Sequence, residues 1–575
     1  MNYILNHSNR SSLPDLSAHG FSYSKLHLVY RNEKAVDPTP EKVILGSLNI
    51  CFEVVDDKMA HYLALEITPV NAPSITITIS STDLGNSKKI EAIAYMNGLL
   101  VYNSSLLRKY CLLLVSELKK NKQVPRQIVS DLGWFQGLTV FNTGKQLVHS
   151  ESIDSSLYHH QPLNVAYLSQ QGNLADWQAH IFNPASGNPM ILGAMCIGLS
   201  ALLYEKLDIP MGIVNYFGQA GTGKTLMLQI TGSQFGNSAA PDQVSPNACD
   251  PCYIRKFNCT EAGFETMAAQ YIGTPLLLDE LGEADQGRLG ALIYTLSSGQ
   301  GKNRSTSALK TAKTIKWQTS MIAVGEVSMQ SCLEKGKNPV MDGQLDRCAD
   351  ISIDDTTGIF TDFAEFESFQ ALTGHLKQAT GRYYGTAAIA FIKWIQEHPD
   401  EIELLHSTFH ETVADYIPEG CAGGSIRIIH RFGAALIAGY IAVEAGIYTC
   451  NENAIENAIK QTILTWWQGR EWAVKLIADY TLAHEHDIIE GKVTRVSAPA
   501  FFIENEGLLV IEQGVFEEAF GDSSSSLLAS LAARNILQIE QKGRLLKRYC
   551  NNRVFAYAIK FEKVEEMIKL MDIDQ

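Results

Sequence analysis

The eight-residue segment "GQAGTGKT" (residues 218–225) constrains the fold of this chain more than any other stretch. Its spacing is G-x-x-x-x-G-K-[ST], an apolar run precedes it, and a helical pattern begins at Thr225. In this order glycines let backbone N–H groups surround phosphate oxygens, and the new helix directs its positive end towards them. The segment predicts a phosphate-binding loop in an α/β sheet, with contacts from Gly218, Gln219, Ala220, Gly221, Thr222, Gly223, Lys224 and Thr225.

A second apolar run, "TPLLLDEL", predicts a strand that ends in Asp279 and Glu280. Beside a phosphate loop, Lys224 reaches the β- and γ-phosphates of ATP, and Thr225 and Asp279 hold Mg²⁺. Glu280 then orients and deprotonates the attacking water, which predicts hydrolysis of ATP rather than binding alone. The alternative is a strand that ends in two solvated acids.

Polar residues follow two later strands and the helical region. "WQTSMIAVGE" ends at Glu326, where a side chain contacts the attacking water or the γ-phosphate, with Ser320 or Ser328 as alternatives. Arg347 precedes a short β-like stretch and is either an arginine finger for a neighbouring subunit or part of a surface ion pair with Asp346 or Asp350. Arg427, with Arg431 as the alternative, is a candidate second nucleotide sensor; two helix-surface arginines are the simpler reading.

A cationic ribbon, residues 301–316, lies between the Glu280 strand and the Glu326 strand. It has no carboxylate in a chain with 62 acidic and 47 basic side chains and a net charge of −15. The ribbon predicts a hairpin whose cations contact a DNA backbone without sequence preference. The alternative is a solvated loop. The predicted DNA-contacting residues are Lys302, Arg304, Lys310 and Lys313.

Changes in the pattern of predicted strands and helices along the chain predict four domains. Residues 1–165 are β-rich, with period-two alternation at 74–80 and a helix near 104–121. An α/β core, a helical lid region and a winged-helix-like domain follow, at 166–355, 356–480 and 481–575. The last domain carries a second basic run, residues 541–553, as a candidate duplex or fork contact.

Composition limits the cellular location and the kinds of partner that are expected for this chain. No apolar run reaches the ~20 residues of a membrane span, and no secretory signal precedes the first domain. Eleven cysteines in so long a chain indicate reduced thiols, so a cytoplasmic location without membrane partners is expected. The negative net charge excludes a protein that coats nucleic acid with its whole surface, but not a local cationic site.

The motifs together resemble a known family. "GQAGTGKT", "LLLDEL", "IYTLSSGQGKNRS", "VGE" and "GQLDR" occur in the order found in the domain-of-unknown-function ATPases of mobile genetic elements. That group includes the helicases of staphylococcal cassette chromosomes and is similar to the MCM replicative helicases. The resemblance covers more than half of the chain, from about residue 50 to residue 353.

The resemblance implies an AAA+ core with a hairpin before the first sensor strand, in a homohexameric ring that unwinds DNA. It assigns Arg347 to the arginine finger, Arg427 to the second sensor and Glu326 to the first-sensor position, which in MCM-like proteins holds asparagine. Single-stranded and forked DNA and an element-encoded primase or initiator are the implied partners. The alternatives are an ATP-switched replication initiator or loader that binds origin DNA, and a defence ATPase of a mobile element.

Overall fold

The structure is a computed structural model of the 575-residue chain. It describes residues 13–568 apart from 25–26, 33, 36–38, 57–58, 70–71, 123, 162, 164–166, 241–249, 303–313, 336–340, 419–420, 422, 471, 491–499, 504–505, 522–523, 525–526, 529–530, 532–535, 539–545, 550–553, 563 and 566–567.

The strands, in chain order, are β1 Phe21–Ser24, β2 His27–Tyr30, β3 Glu41–Leu45, β4 Ser47–Val55, β5 His61–Thr68, β6 Ile75–Ser80, β7 Leu100–Val101, β8 Arg126–Val129, β9 Gly133–Phe135, β10 Val140–Asn142, β11 Leu147–Val148, β12 Tyr158–His160, β13 Ile213–Phe217, β14 Arg255–Lys256, β15 Leu276–Asp279, β16 Met321–Gly325, β17 Cys348–Ser352, β18 Ile489–Glu490, β19 Phe501–Ile503, β20 Leu508–Glu512, β21 Leu546–Tyr549 and β22 Val554–Lys560.

The α-helices are α1 Ser87–Met96, α2 Ser104–Lys120, α3 Leu174–Trp177, α4 Asn183–Ala185, α5 Pro189–Ser200, α6 Lys224–Ser233, α7 Glu261–Ala268, α8 Gln286–Ser298, α9 Met329–Glu334, α10 Asp342–Leu345, α11 Phe369–Ala379, α12 Thr386–Glu397, α13 Pro399–Ala414, α14 Ile426–Glu444, α15 Glu452–Arg470, α16 Trp472–Ala483 and α17 Gln513–Phe520. Short 3₁₀ and π turns join several of them.

The first of two compact units comprises Met1–Asp131 and His149–Asn164. It holds a four-stranded sheet, β1-β2-β3-β7, and a five-stranded sheet, β12-β8-β4-β5-β6. The alternation predicted at residues 74–80 is confirmed by β6, and the predicted helix by α2, which starts where the Asn103 side chain accepts the Leu106 N–H. Helix α1 is an addition, and its start is capped in the same way by Asn86.

The second unit comprises Leu132–Val148 and Val165–Gln575, and its central sheet is fully parallel. The strand order is β14-β15-β16-β13-β17, so the strand before the phosphate loop lies between two neighbours. Its three inner strands, β15, β16 and β13, are nearly continuous runs of buried residues, as parallel strands covered on both faces require. Because all five run the same way, the loops that follow them meet at one edge of the sheet, the carboxyl edge.

Apolar helices pack against this sheet in the same unit. Helix α5 is buried over almost its whole circumference and packs on α6, α14 and α15. The stretch Gly423–Glu444, which contains α14, is long and apolar enough to cross a membrane, and 72% of its most apolar window is buried inside the protein. Burial of this kind is typical of a core helix, so the stretch is weak evidence for a membrane span.

The last sheet of the second unit has the order β18-β19-β20-β22-β21. Strands β21 and β22 form an antiparallel pair at its edge. The sheet extends beyond that pair to three further strands, one of which, β20, leads directly into α17. The winged-helix assignment stays a prediction.

Candidate active site

The predicted phosphate loop connects β13 to α6, which begins at Lys224, one residue earlier than predicted. Gly221 and Gly223 have φ angles of +87° and +94°, a region that glycine adopts without strain. On its inner side the loop is braced by Ile359, whose N–H donates to the Thr222 carbonyl (3.0 Å). A Cβ added to Gly221 would meet no atom within 4 Å, so the loop is open on the other side.

Lys224 lies inside this loop. Its Nζ donates to the carbonyls of Gly218 (2.7 Å) and Gln219 (2.6 Å). Burial lowers the pKa of Lys224, and the negative charges of Glu326, Asp279 and, more weakly, Asp355 oppose that shift. The ammonium therefore binds carbonyl oxygens of its own loop and feels the charge of nearby carboxylates. Phosphate oxygens can replace the carbonyl oxygens as its ligands.

Asp279 ends β15 and faces the start of α6. The Thr225 hydroxyl lies 3.4 Å from Asp279 Oδ1, and the Glu280 N–H donates to the same oxygen (3.0 Å). Asp279 is buried, and burial raises its pKa. A hydroxyl and a buried carboxylate oxygen side by side are hard oxygen ligands of the kind that Mg²⁺ takes in proteins, so these residues fit the predicted metal role.

Glu280 has an unusual backbone and an ion pair that the sequence does not reveal. Its φ and ψ are 63° and 59°, the left-handed region that non-glycine residues rarely occupy and that is often found at functional sites. Its Oε2 accepts a hydrogen bond from Lys256 Nζ (2.7 Å), and this bond lowers the pKa of Glu280. Lys256 ends β14, which pairs with β15, so the contact depends on strand order.

Glu326 follows β16 directly and is exposed at the same edge. Of the alternatives, Ser320 precedes β16 at the opposite edge and is buried, and Ser328 caps α9 through the Ser331 N–H. A further carboxylate was missed: Asp355, just beyond β17, accepts from the Gln219 N–H (3.2 Å) and the Gln219 amide (3.0 Å). The acidic pair at the end of a strand is the same signal that pointed to Asp279 and Glu280.

A second missed carboxylate links three elements. Asp350, on β17, accepts from the Asn215 amide of β13 (2.7 Å). Its two oxygens also accept the first N–H groups of α9, from Met329 (2.8 Å) and Gln330 (3.1 Å). Asp350 thereby ties the strand of the phosphate loop to the segment that follows Glu326.

Arg347 lies at the other edge of the sheet. It precedes β17, and its carbonyl accepts the N–H of Ile213, the first residue of β13. A five-residue strand spans about 16 Å, so Arg347 is remote from the phosphate loop of its own chain. Its guanidinium donates to the Gly343 carbonyl (2.6 Å) and lies over the Tyr294 ring, whereas Asp346 pairs with Arg470. Asp346 is therefore the partner of Arg470 and not of Arg347.

The two arginines of α14 differ in environment. Arg427 is exposed. Arg431 is 1% exposed, and its guanidinium donates to the carbonyls of Pro210 (2.9 Å), Met211 (3.4 Å) and Asp346 (3.2 Å). Arg431 thus holds α14 against the edge of the sheet near Arg347, and the simpler reading of two surface arginines is wrong for Arg431.

The described ends of the cationic ribbon form the base of a hairpin. Gln300 and Lys316 pair in an antiparallel bridge, and the Gly301 N–H donates to the Ile315 carbonyl (2.8 Å). Lys302 is exposed and forms an ion pair with Glu261. Arg304, Lys310 and Lys313 lie outside the described residues. In the second basic run, Lys547 and Arg548 belong to β21, and Lys542, Arg544 and Arg553 lie outside the described residues.

Comparison with protein families places the chain. Residues 28–317, half of its length, match the family described as domain of unknown function DUF927. The chain belongs to this family. The match extends from the first unit through the phosphate loop and the Glu280 strand to the end of the cationic ribbon. None of the curated proteins matches the chain significantly.

The DUF927 chain also resembles solved structures. One is the active helicase Cch of SCCmec type IV, with 14% identity, a TM-score of 0.58 and coverage of 95% of this chain and 98% of that one. At this identity the match shows a shared mixed α/β fold. A second is the apo C-terminal region of NrS-1, with 11% identity, coverage of 89% of this chain and 96% of that one, and a TM-score of 0.28.

Proposed function

We propose that this protein is an ATP-driven, ring-forming DNA helicase of the MCM-like AAA+ type that acts in replication of a mobile genetic element. One observation carries the proposal: Lys224, the Thr225–Asp279 pair and Glu280 converge at the carboxyl edge of a parallel sheet, beside an open glycine loop. That combination suits the cleavage of a nucleoside triphosphate better than the binding of one.

Each residue has a role in this scheme. Backbone N–H groups of the loop and the Lys224 ammonium bind the phosphates of ATP, the substrate. Thr225 and Asp279 hold Mg²⁺, which neutralises charge on the phosphates when bound. Glu280 takes a proton from the attacking water, and exposed Glu326 orients that water. The ion pair with Lys256 favours the ionised form of Glu280. The hydrogen bond between them must break before the carboxylate can accept a proton from the water.

The remote position of Arg347 supports a site shared between subunits. An arginine that cannot reach its own phosphate loop can act on the loop of the next subunit in a closed ring, where it stabilises charge on the γ-phosphoryl group. Exposed Arg427, one helical turn before the buried Arg431, joins it as the second sensor. A homohexamer is the assembly that we propose.

The ribbon supplies the contact with DNA in this proposal. Lys302, Arg304, Lys310 and Lys313 bind the phosphates of a single strand in the central channel, and hydrolysis next to β16 moves the hairpin. The fold shared with an active helicase is consistent with this activity. The proposal extends to forked DNA and to an element-encoded primase or initiator as partner.

Site variants and a forked substrate test the proposal. Lys224→Ala and Glu280→Gln should each lower ATP turnover by about 100-fold or more in a phosphate-release assay, because each removes a group needed at the reaction centre. Lys206→Ala is the control, since Lys206 pairs with Glu403 elsewhere on the surface. The wild type should separate forked DNA with ATP. An initiator would bind the fork without separating it, and near-normal turnover in Glu280→Gln would remove the proposed base.

A further inference from the structure

Helix α7 contacts the stem of the cationic ribbon, which comprises residues 299–302 and 315–317. Lys302 Nζ lies 2.7 Å from Glu261 Oε1 and 2.9 Å from Oε2, so both carboxylate oxygens receive it. The Lys302 backbone N–H donates to Glu265 Oε1 (3.2 Å). Glu261 and Glu265 are four residues apart on α7 and therefore share a helix face. The same face thus holds the side chain and the backbone of one ribbon residue.

The backbone of the stem is fixed, whereas the Lys302 side chain is accessible. Trp317 is buried, and its backbone N–H donates to the Gly299 carbonyl (2.9 Å) across the stem. A Cβ on Gly301 would lie 2.7 Å from Glu265 Oε2, so chain and helix are in close contact there. The Lys302 side chain is 59% exposed and Glu261 29%. The ammonium can therefore change partner while the stem stays in place.

A DNA phosphate and the Glu261 carboxylate are rivals for the same ammonium. The hydrogen bond from Lys302 lowers the pKa of Glu261, so the ion pair favours the charged carboxylate. The Thr295 hydroxyl also donates to Glu261 Oε1 (3.3 Å) and holds the carboxylate towards the ribbon. A polyanion that binds Lys302 breaks the ion pair between Lys302 and Glu261. The free energy of that ion pair is therefore subtracted from the free energy of DNA binding.

We infer that Glu261 competes with the phosphates of single-stranded DNA for Lys302 and so weakens the contribution of Lys302 to DNA affinity. The inference rests on the proposed function, because it takes the ribbon to be the DNA contact. Glu261 is a positioning residue here, acting through Lys302 and not on the nucleotide. Neither residue belongs to the proposed hydrolytic machinery.

Binding of a fluorescent oligothymidylate to the full chain, with a non-hydrolysable ATP analogue present, tests the competition. Glu261→Gln keeps the size of the side chain and an oxygen for the Thr295 hydroxyl but removes the charge. Fluorescence anisotropy should give a Kd about two- to five-fold lower than that of the wild type, the worth of an exposed ion pair. The plot of log affinity against log salt should steepen by up to about 0.7, because a freed Lys302 releases one more counterion from the strand.

Three further variants separate a local pair from a general charge effect. Glu403→Gln removes one carboxylate and one ion pair, with Lys206, elsewhere on the second unit, and should leave the Kd and the salt slope near the wild-type values. Lys302→Gln should weaken binding, and adding Glu261→Gln to it should bring no further gain. Glu261→Asp shortens the side chain, keeps its charge and should also tighten binding; it serves if Glu261→Gln does not fold.

Each outcome decides the inference. Equal effects of Glu261→Gln and Glu403→Gln would overturn it, as would a gain in affinity that persists undiminished in the Lys302→Gln background. Either result leaves the proposed helicase intact, provided that the wild type binds the oligonucleotide. Failure of the wild type to bind single-stranded DNA in any nucleotide state would overturn the proposed function and the competition together.

Discussion

At the scale of single residues, the proposed catalytic base is restrained before any substrate arrives. Glu280 has a left-handed backbone and a carboxylate bound to Lys256, so both its direction and its charge are determined by neighbours. A strained backbone at this point is expected where geometry matters more than stability. Lys256 is 51% exposed and Glu280 47%, so the pair is a weak one that water or substrate can replace.

The effect of Lys256 on Glu280 predicts a shift in the pH profile of hydrolysis. Glu280 acts as a base only when deprotonated, and Lys256 lowers its pKa, so Lys256→Gln raises that pKa. The acidic limb of kcat/KM for ATP should therefore move to higher pH. Lys256→Arg should restore the wild-type limb because it keeps the charge. An unmoved limb in Lys256→Gln would show that the pair does not act on the base.

At the scale of elements, α14 uses its two arginines for different purposes. Arg431 satisfies three carbonyls near the amino edge of the sheet, where Gly212 leaves room for its guanidinium: a Cβ there would lie 2.2 Å from Cζ of Arg431. Arg427 is exposed one turn away. The helix is therefore anchored by one arginine and presents the other.

Substitution should separate these two roles. Arg431→Met keeps the bulk but leaves buried carbonyls without a donor, which should lower the free energy of unfolding by about 2–4 kcal/mol. Arg427→Gln should change it by less than about 0.5 kcal/mol, since the site is exposed, but should reduce ATP turnover. Urea denaturation followed by tryptophan fluorescence gives the first quantity. Equal stability losses would mean that Arg427 is also an anchor.

The five-stranded sheet of the first unit holds a histidine that makes stability depend on pH. His159 packs edge-on against Phe52 (5.2 Å between ring centroids), and Arg126 lies over the same ring. Burial, with the charge of Arg126 and of His160, lowers the pKa of His159 to about 4. Between about pH 6.5 and pH 4 the unfolded chain binds a proton at this position that the folded chain refuses.

Stability of the first unit should therefore fall as the pH drops from 6.5 to 4 and should be fully present above 6.5. After discounting for partial exposure, His159 contributes about 1–2 kcal/mol to this fall. Hydrogen exchange of the β4 peptide, corrected for intrinsic rates, should be faster at pH 5 than at pH 7 because the first unit is less stable there. The substitution His159→Phe should remove the share of this pH dependence that comes from His159. Tryptophan fluorescence serves as the control, because all seven tryptophans belong to the second unit. The same pH response in His159→Phe would contradict the assignment.

At the scale of the whole molecule, the proposed chemistry is divided between two edges of one sheet. Lys224, Asp279 and Glu280 lie at the carboxyl edge, and Arg347 lies at the amino edge. A single copy cannot bring these edges together because the strands between them are rigid and buried. In the proposed ring, a heterologous contact repeated around the circle would join one edge to the other in every interface.

Mixing two inactive variants tests this division. Arg347→Ala and Glu280→Gln should each be nearly inactive alone, because every interface lacks one partner. Mixed one to one, about a quarter of the interfaces should contain both an intact base and an intact arginine, and ATP turnover should recover accordingly. Steady-state phosphate release across mixing ratios measures it. No recovery at any ratio, with mixed assembly verified by labelled subunits, would refute sharing between subunits.

Local patterns predicted some of these features and not others, for a physical reason. The loop before α6, the strand that ends at Asp279 and the base of the ribbon hairpin follow from residue types that are adjacent in the chain, and they lie where the sequence puts them. The pairs Lys256–Glu280 and Gln219–Asp355 were missed. Their partners are 24 and 136 residues apart, and only the order of strands brings them together.

The sequence alone determined the chemistry available to this protein: a glycine loop that turns N–H groups inward, acids at the end of a strand, and a carboxylate-free cationic ribbon. The tertiary structure decided which groups face one another. It set Arg347 apart from its own phosphate loop, buried Arg431 and paired Lys302 with Glu261. The reason is that backbone propensity and side-chain type act over a few residues, whereas ion pairing and burial depend on the packing of distant segments.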